Sequence, residues 1–358
     1  MKLLPPVFVG FDAPLVAGTL LARRDRFVAS VRLDNGAEVE AHCVNPGRME
    51  GFTGDGARVW LHPQPKAGRR CPYTWEIIEQ QWPDRSKGGV LFCSTNTVRP
   101  NLLVSHVLNA RVLRGLDEWD TLEAEHTIKE ENATTRLDFL LRTGPALHFV
   151  DVKNCHLVCD SDGWGYFPDS VSERAVKHCD ELATLASRGN LATVLIVVQR
   201  ADVRHGVRPS DWHDPAFAAA ARRAAAAGVR FRALRAEVSL EGTTITDELP
   251  VDLGEYDATP VAAQWERDRP STGWVRGASG KRVANAPFAH HRQKASAAKQ
   301  SKTQAKPPTS VGKKRRAGAM SASTPALPAE ADDASAPKPA EPQTTQKRPP
   351  GAGRSPYF

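Results

Sequence analysis

The segment Ala192–Val198 (Ala-Thr-Val-Leu-Ile-Val-Val) constrains the fold more than any other stretch of the chain. A strand with one face in water alternates apolar and polar residues. This apolar run offers no polar face, so both of its faces need cover. Helical layers above and below a sheet provide that cover, which predicts an α/β architecture. The flanking residues agree. Ser170 followed by Glu173 reads as a capping box opening a helix that runs to about Ser187 and stops at Gly189. Asp214-Pro215 opens a second helix, Gly228 closes it, and Val229–Val238 reads as a further strand. Upstream, Val90–Cys93 is a short strand and Asn101–Leu113 has helical apolar spacing. Leu122–Ile128, Arg136–Leu141 and Leu147–Val152 are three strands close together. Residues 89–253 are therefore predicted to form a mixed α/β domain whose sheet begins as a meander.

Residues 12–88 follow a different pattern. Val16–Leu21, Phe27–Leu33, Val39–Cys43 and Arg58–His62 are short β-like runs, and Asp34-Asn35-Gly36 is a hairpin signal between two of them. Short strands packed this closely suggest a Greek-key barrel of the OB type. Periodicity alone does not separate it from other small β-barrels.

Charge is placed unevenly. Of 48 Lys and Arg and 41 Asp and Glu, 16 and 4 lie from Arg276 onward, a net +12; the remaining 32 and 37 give the preceding part a net −5. Any nucleic-acid surface on the folded part must be local. Residues 256–358, rich in Ala, Pro, Lys, Ser, Thr and Gln, are predicted to be a disordered basic tail. Its Lys313-Lys314-Arg315-Arg316 cluster reads as an import signal, a phosphate-binding arm or a solvated charge run. None of the six cysteines forms a CxxC pair. Cys155, His156, Cys159, His178 and Cys179 match no common zinc-finger spacing, so reduced thiols are expected. No run of about 18 apolar residues is present, and Pro5, Pro6, Asp12 and Pro14 break the apolar core a secretory leader needs. The expectation is a cytoplasmic protein without a membrane partner, or a nuclear one if the source is eukaryotic. No pattern specifies an oligomeric state.

The chemistry-bearing segments are Arg136-Leu137-Asp138-Phe139 and Val150-Asp151-Val152-Lys153. Residues two apart in a strand share a face, so Asp151 points with Lys153 and Asp138 with Arg136. If the two strands are neighbours, Asp138 and Asp151 meet near one end of the sheet. Two carboxylates brought together call for a proton or a cation between them, and Mg²⁺ or Mn²⁺ suits oxygen donors. Asp138, Asp151 and the Val152 carbonyl are the expected metal ligands. Lys153 would stand beside the reacting phosphate, an arrangement suited to a phosphodiesterase. The same residues also fit an exposed Asp–Lys salt bridge at a strand end.

Basic residues lie nearby in sequence. Arg174, Lys177 and His178 are three and four apart on the predicted helix, a face that suits either phosphates or plain solvent. In the barrel, the Asn45-Pro46-Gly47-Arg48 turn offers amides and a guanidinium to a nucleic-acid strand. Tyr73 and Trp75 read as a stacking pair or as packing between domains.

Taken together, these segments resemble the sugar fermentation stimulation protein A family, within the nuclease superfamily named for its PD-(D/E)xK signature. The matching pieces run in order: His42-Cys43-Val44-Asn45-Pro46-Gly47-Arg48-Met49, Tyr73-Thr74-Trp75-Glu76, Asn96-Thr97 and Glu125. They continue with Arg136–Phe139, Val150–Lys153, Tyr166-Phe167-Pro168-Asp169, Ser172-Glu173-Arg174 and Lys177-His178. The resemblance implies an OB-like domain on a PD-(D/E)xK core, DNA as partner, and a role in regulating sugar metabolism. It implies Asp138, Asp151 and Lys153 as the nuclease triad, with Glu125 as an extra catalytic and metal-binding acid. It also implies DNA contacts from Asn45, Arg48, Arg136, Arg174, Lys177 and His178. Asp151 stands where Glu is usual, the stretch from Glu125 to Arg136 is about two residues longer, and the basic tail lies outside the pattern. Two functions are expected from this: a metal-dependent DNA nuclease, or a non-catalytic DNA-binding regulator on the same scaffold.

Overall fold

The computed structural model describes residues 2–275, apart from 25, 50–51, 53–55, 66–67, 83–87, 131–132 and 269–273. The first strand, β1 (Lys2–Gly10), belongs to the second domain, and the chain then builds the barrel. β2 (Val16–Arg24), β3 (Val28–Leu33), β4 (Glu38–His42), β5 (Arg58–Pro63) and β6 (Tyr73–Gln81) close into a ring. β2 pairs antiparallel with β3 and β5, β3 with β4, and β5 with β6, while β4 runs parallel to β6. This is the five-stranded OB-like barrel expected of this region. At the β3–β4 turn, Gly36 takes φ +87°, the left-handed conformation for which Asn-Gly is suited, and Asn35 Oδ1 accepts from the Ala37 amide at 3.0 Å. Leu20, Val31, Leu61, Trp75 and Ile78 fill the barrel. Trp75 is completely buried and its Nε1 donates to the Ile77 carbonyl, so it is a barrel-core residue and no stacking platform.

β7 (Val90–Ser94) pairs antiparallel with β6, which places it in the barrel sheet and not at the start of the second domain. At its end the Ser94 amide donates to the Gln199 carbonyl, joining the two domains at one seam.

The second domain follows: α1 (Arg99–Asn109), β8 (Thr121–Glu130), β9 (Ala133–Thr143), β10 (Ala146–Cys155), β11 (Leu157–Val158) and β12 (Trp164–Phe167). Next come α2 (Glu173–Ser187), β13 (Leu191–Val198), β14 (Gly206–Pro209), α3 (Pro215–Ala226), β15 (Arg230–Val238), β16 (Gly242–Leu249) and α4 (Thr259–Asp268), after which β17 (Trp274–Val275) returns to the barrel sheet. Its main sheet has the order β1-β16-β15-β13-β10-β9-β8, with β10, β13 and β15 parallel at the centre and antiparallel strands outside. β13, the apolar run, sits in the middle. Its Val194, Ile196 and Val198 face α2 and α3, and its Leu195 and Val197 face α1. The helix N-termini are as the sequence suggests for α3, where Asp214 accepts from the Phe217 amide. For α2 the cap is Ser172 and not Ser170: the Ser172 side chain accepts from the Ala175 amide.

The expected disordered tail begins too early by one helix. Val261 of α4 is buried against Leu157, Cys159 and Tyr166, Trp265 one turn on is buried with its ring 5.9 Å from that of His213, and Gln264 Nε2 donates to the Val158 carbonyl at 2.6 Å. β17 then pairs in parallel with β2 at Arg23 and Arg24. Residues 269–273 and 276–358 of the expected tail lie outside the described residues. The six cysteines are buried free thiols, and no described helix is long and apolar enough to cross a membrane.

Candidate functional site

The β9–β10 ladder stops short. Its last pair is Phe139 with Val150, so the next residues, Asp138 and Asp151, face each other where the strands part. On the other side of β9, the pairs Ala124–Phe139 and His126–Leu137 bracket Glu125 and Asp138. Glu125, Asp138 and Asp151 thus fall at one level across three adjacent strands. Glu125 adopts φ +58°, a left-handed conformation that costs a non-glycine residue about 1 kcal/mol or more. Such strain is uncommon in mid-strand and coincides here with the acidic row.

Each acid is held differently. Asp138 Oδ2 accepts from the Val152 amide at 2.7 Å, replacing the ladder bond that β9 no longer makes, and its Oδ1 accepts from Asn101 Nδ2 at 2.7 Å. Burial, and then the neighbouring Asp151 charge, push Asp138 above its ordinary value. Asp151 is only 1% exposed. Burial works against its ionisation too, yet Lys153 and His178 overcome it and hold the carboxyl at about 2. Lys153 Nζ lies 2.5 Å from Asp151 Oδ2, and His178 Nδ1 lies 2.7 Å from Asp151 Oδ1. Arg174 Nε donates to His178 Nε2 at 3.4 Å. That bond makes Nε2 the acceptor and leaves the proton on Nδ1, which donates to Asp151. Glu125 ion-pairs with Arg136 at 2.8 Å.

The structure therefore brings together Asp138, Asp151, Lys153 and His178, with Glu125 level with them and Arg136 and Arg174 at the rim. His178 is buried and turned to Asp151, a positioning contact and not a surface one. Lys177 is exposed and ion-pairs with Glu181 one turn on. The barrel turn is not part of this site. Asn45 is buried, its Oδ1 accepting from the Gly47 amide, while Arg23 donates to the carbonyls of Asn45, Gly47 and Arg48. Gly47 lies so close to Asp169 that a Cβ there would come within 2.5 Å of the carboxylate. The Arg48 guanidinium lies 4.7 Å from the ring centre of Trp265 in α4. Asn101 is the site residue the sequence reading missed. The available signal was its spacing of three and seven from Val104 and Leu108, the stripe that faces the sheet.

Known proteins complete the picture. Residues 21–86 match the model described as SfsA N-terminal OB domain, and residues 98–242 match the sugar fermentation stimulation protein RE domain. A sugar fermentation stimulation protein homolog from Methylobacterium radiotolerans is 41% identical over 245 residues, covering 67% of this chain and 98% of the relative. One from Jannaschia sp. is 39% identical over 243 residues, covering 68% and 96%. The chain belongs to the sugar fermentation stimulation protein family. A solved member of that family, Pyrococcus furiosus SfsA in complex with Ca²⁺, superposes with a TM-score of 0.59 at 26% identity, covering 70% of this chain and 99% of that one.

Proposed function

We propose that this chain binds DNA and hydrolyses its phosphodiester bonds at a Mg²⁺ or Mn²⁺ site on the acidic row. The observation that carries the reading is the parting of β9 and β10 at Asp138 and Asp151. It gathers two carboxylates at one point and leaves Asp138 pushed upward by burial and then by its neighbour's charge, a conflict a divalent cation relieves. The donor set is all oxygen, which suits a hard ion; the calcium complex of the Pyrococcus furiosus relative involves an ion of that kind. Asp138, Asp151 and the Val152 carbonyl would hold the ion, with Glu125, level with them in register and ion-paired to Arg136, as a further candidate acid. Such an ion supplies polarisation of the phosphodiester and activation of water.

The chain's own groups do the rest. Asn101 and the Val152 amide fix Asp138, and His178 fixes Asp151. Lys153 places a cation beside the phosphate, where charge develops in the transition state. Arg136, Arg174 and Lys177 offer exposed cations to the flanking backbone.

One observation favours the second reading, a DNA-binding regulator without cleavage: the Lys153 ammonium already neutralises Asp151 at 2.5 Å. Calorimetric titration with Mn²⁺, combined with incubation of plasmid, single-stranded and branched DNA, separates the two. Mn²⁺ binding that Asp138→Asn abolishes, together with cleavage that Lys153→Ala abolishes, is the expected result. DNA binding with no Mn²⁺ uptake would leave the regulator, and failure to bind DNA at all would overturn both.

A further inference from the structure

Two motifs of the sequence, Tyr73-Thr74-Trp75-Glu76 and Asn96-Thr97, have no part in the chemistry above, yet the structure ties both to it. Glu76 lies on β6 of the barrel and is buried. Both of its carboxylate oxygens accept from Asn96 Nδ2, at 2.9 and 3.0 Å. Asn96 Oδ1 in turn accepts from the amides of Val98 and Arg99, at 2.9 and 3.2 Å, and so braces the first turn of α1. Two residues further along α1, Asn101 donates to Asp138. The same Asn96 is gripped from the core, since Gln199 Nε2 donates to its carbonyl at 2.9 Å and to Asn154 Oδ1 at 2.8 Å. Asn154 follows Lys153 on β10.

We propose that Glu76 and Asn96 are positioning residues for Asp138: a barrel carboxylate sets the start of α1, and α1 sets the carboxylate of the core. The inference rests on the metal reading for its consequence but not for its geometry. The chemistry is directional. Asn96 can brace α1 with its oxygen only while its nitrogen is engaged by an acceptor, and Glu76 is that acceptor. An amide at position 76 would keep one accepting oxygen for the Asn96 nitrogen and set its own NH₂ beside that nitrogen, which weakens the hold on the Asn96 side chain. The barrel thereby contributes to the core's site without touching a substrate.

The test uses the full chain, with two readouts. The first is the Val152 amide, which donates to Asp138 and reports its placement in metal-free protein by NMR shift and hydrogen exchange. The second is Mn²⁺ affinity by calorimetry. Glu76→Gln and Asn96→Ala should each move the Val152 signal and speed its exchange about tenfold or more. They should also weaken Mn²⁺ binding about tenfold, the scale of an outer-shell partner. The exchanged pair Glu76→Gln with Asn96→Asp restores a donor facing an acceptor and a carboxylate bracing α1, and it should recover both readouts. Asn101→Ala should reproduce the single variants. Folded single variants with unmoved Val152 and unchanged Mn²⁺ affinity overturn the proposal. If the single variants do not fold, the exchanged pair decides: wild-type folding with a wild-type Val152 signal supports the relay, and anything else overturns it. If the wild type takes up no Mn²⁺, the metal reading falls, while the Val152 signal still judges the relay.

Discussion

Arg23 in the barrel and Asp151 in the core are both almost wholly buried, and their hydrogen-bond partners differ in kind. Arg23 directs its hydrogens to main-chain carbonyls, those of Arg26, Asn45, Gly47 and Arg48. Asp151 faces side chains, Lys153 and His178, and beside it lies a second carboxylate held in an unfavourable field. A charge settled on carbonyls shapes the chain and offers nothing to a ligand. A charge settled on side chains next to a second buried acid can be rearranged by one. On this contrast the Asn45–Arg48 turn serves the architecture of the barrel, and the parted strands are where the proposed chemistry would sit.

Substitutions can break or sharpen the contrast. The largest effect is expected at Arg23. Arg23→Met would strand several buried carbonyls and should lower stability by about 3–5 kcal/mol in urea denaturation, with Mn²⁺ titration of the folded protein unchanged. Asp138→Asn should do the reverse. Mn²⁺ affinity should fall about 100-fold or more by calorimetry, while the melting temperature changes little, because the loss of a penalised buried charge offsets the one acceptor that Val152 or Asn101 loses. Equal destabilisation by the two variants would erase the distinction.

His148 tests a third kind of burial, with one hydroxyl as partner: its Nε2 lies 2.8 Å from Thr193 Oγ1. Burial first, then Arg230 and Arg232, hold it at about 4. The unfolded chain takes up that proton near 6.5 and the folded chain only near 4. Its effect on stability is therefore absent above 6.5 and destabilising as pH falls from 6.5 towards 4. His148→Gln should flatten the loss of stability across that window by an amount on the order of 1–3 kcal/mol, read from denaturation curves at stepped pH. The smallest effects belong to the exposed cations. On the proposed DNA reading, Arg174→Ala should reduce the slope of log affinity against log salt by about 1. Arg48→Ala should leave that slope alone and cost about 1 kcal/mol or less of stability through its contact with Trp265.

Much of the site was legible because strand alternation is local. The spacing of Asp151 and Lys153, and of Arg136 and Asp138, is enough to place them once β9 and β10 are neighbours, and an apolar β13 demands the layers that make them so. Asn101 was not legible in the same way. Its role depends on the rotation of α1 against the sheet, which is set by Leu103, Val104 and Val107 packing on Val150 and Val152. The service of the Asn45–Arg48 turn to Arg23 was not legible, because polar turn residues look alike whether they serve a buried arginine or a ligand. α4 was hidden by its surroundings: Val261 and Trp265 are two apolar residues in a stretch whose composition otherwise matches a solvated tail. β1 was passed over because Pro5 and Pro6 argue against a strand, and an edge position tolerates them.

The place of β1 has a consequence for the order of events at the ribosome. Gly10 pairs with Gly242, so β1 is made long before the strand it pairs with. The barrel strands between them are contiguous and can close on themselves as soon as β6 emerges. At typical synthesis rates of about 5–20 residues per second, β1 must wait roughly 10–50 s for β16. During that interval the nascent chain carries a finished barrel flanked by an unsatisfied apolar strand that includes Val7, Phe8 and Val9. Such a chain is a natural client for a chaperone that reads short hydrophobic segments, and deleting β1 should shorten that engagement at the expense of the finished sheet.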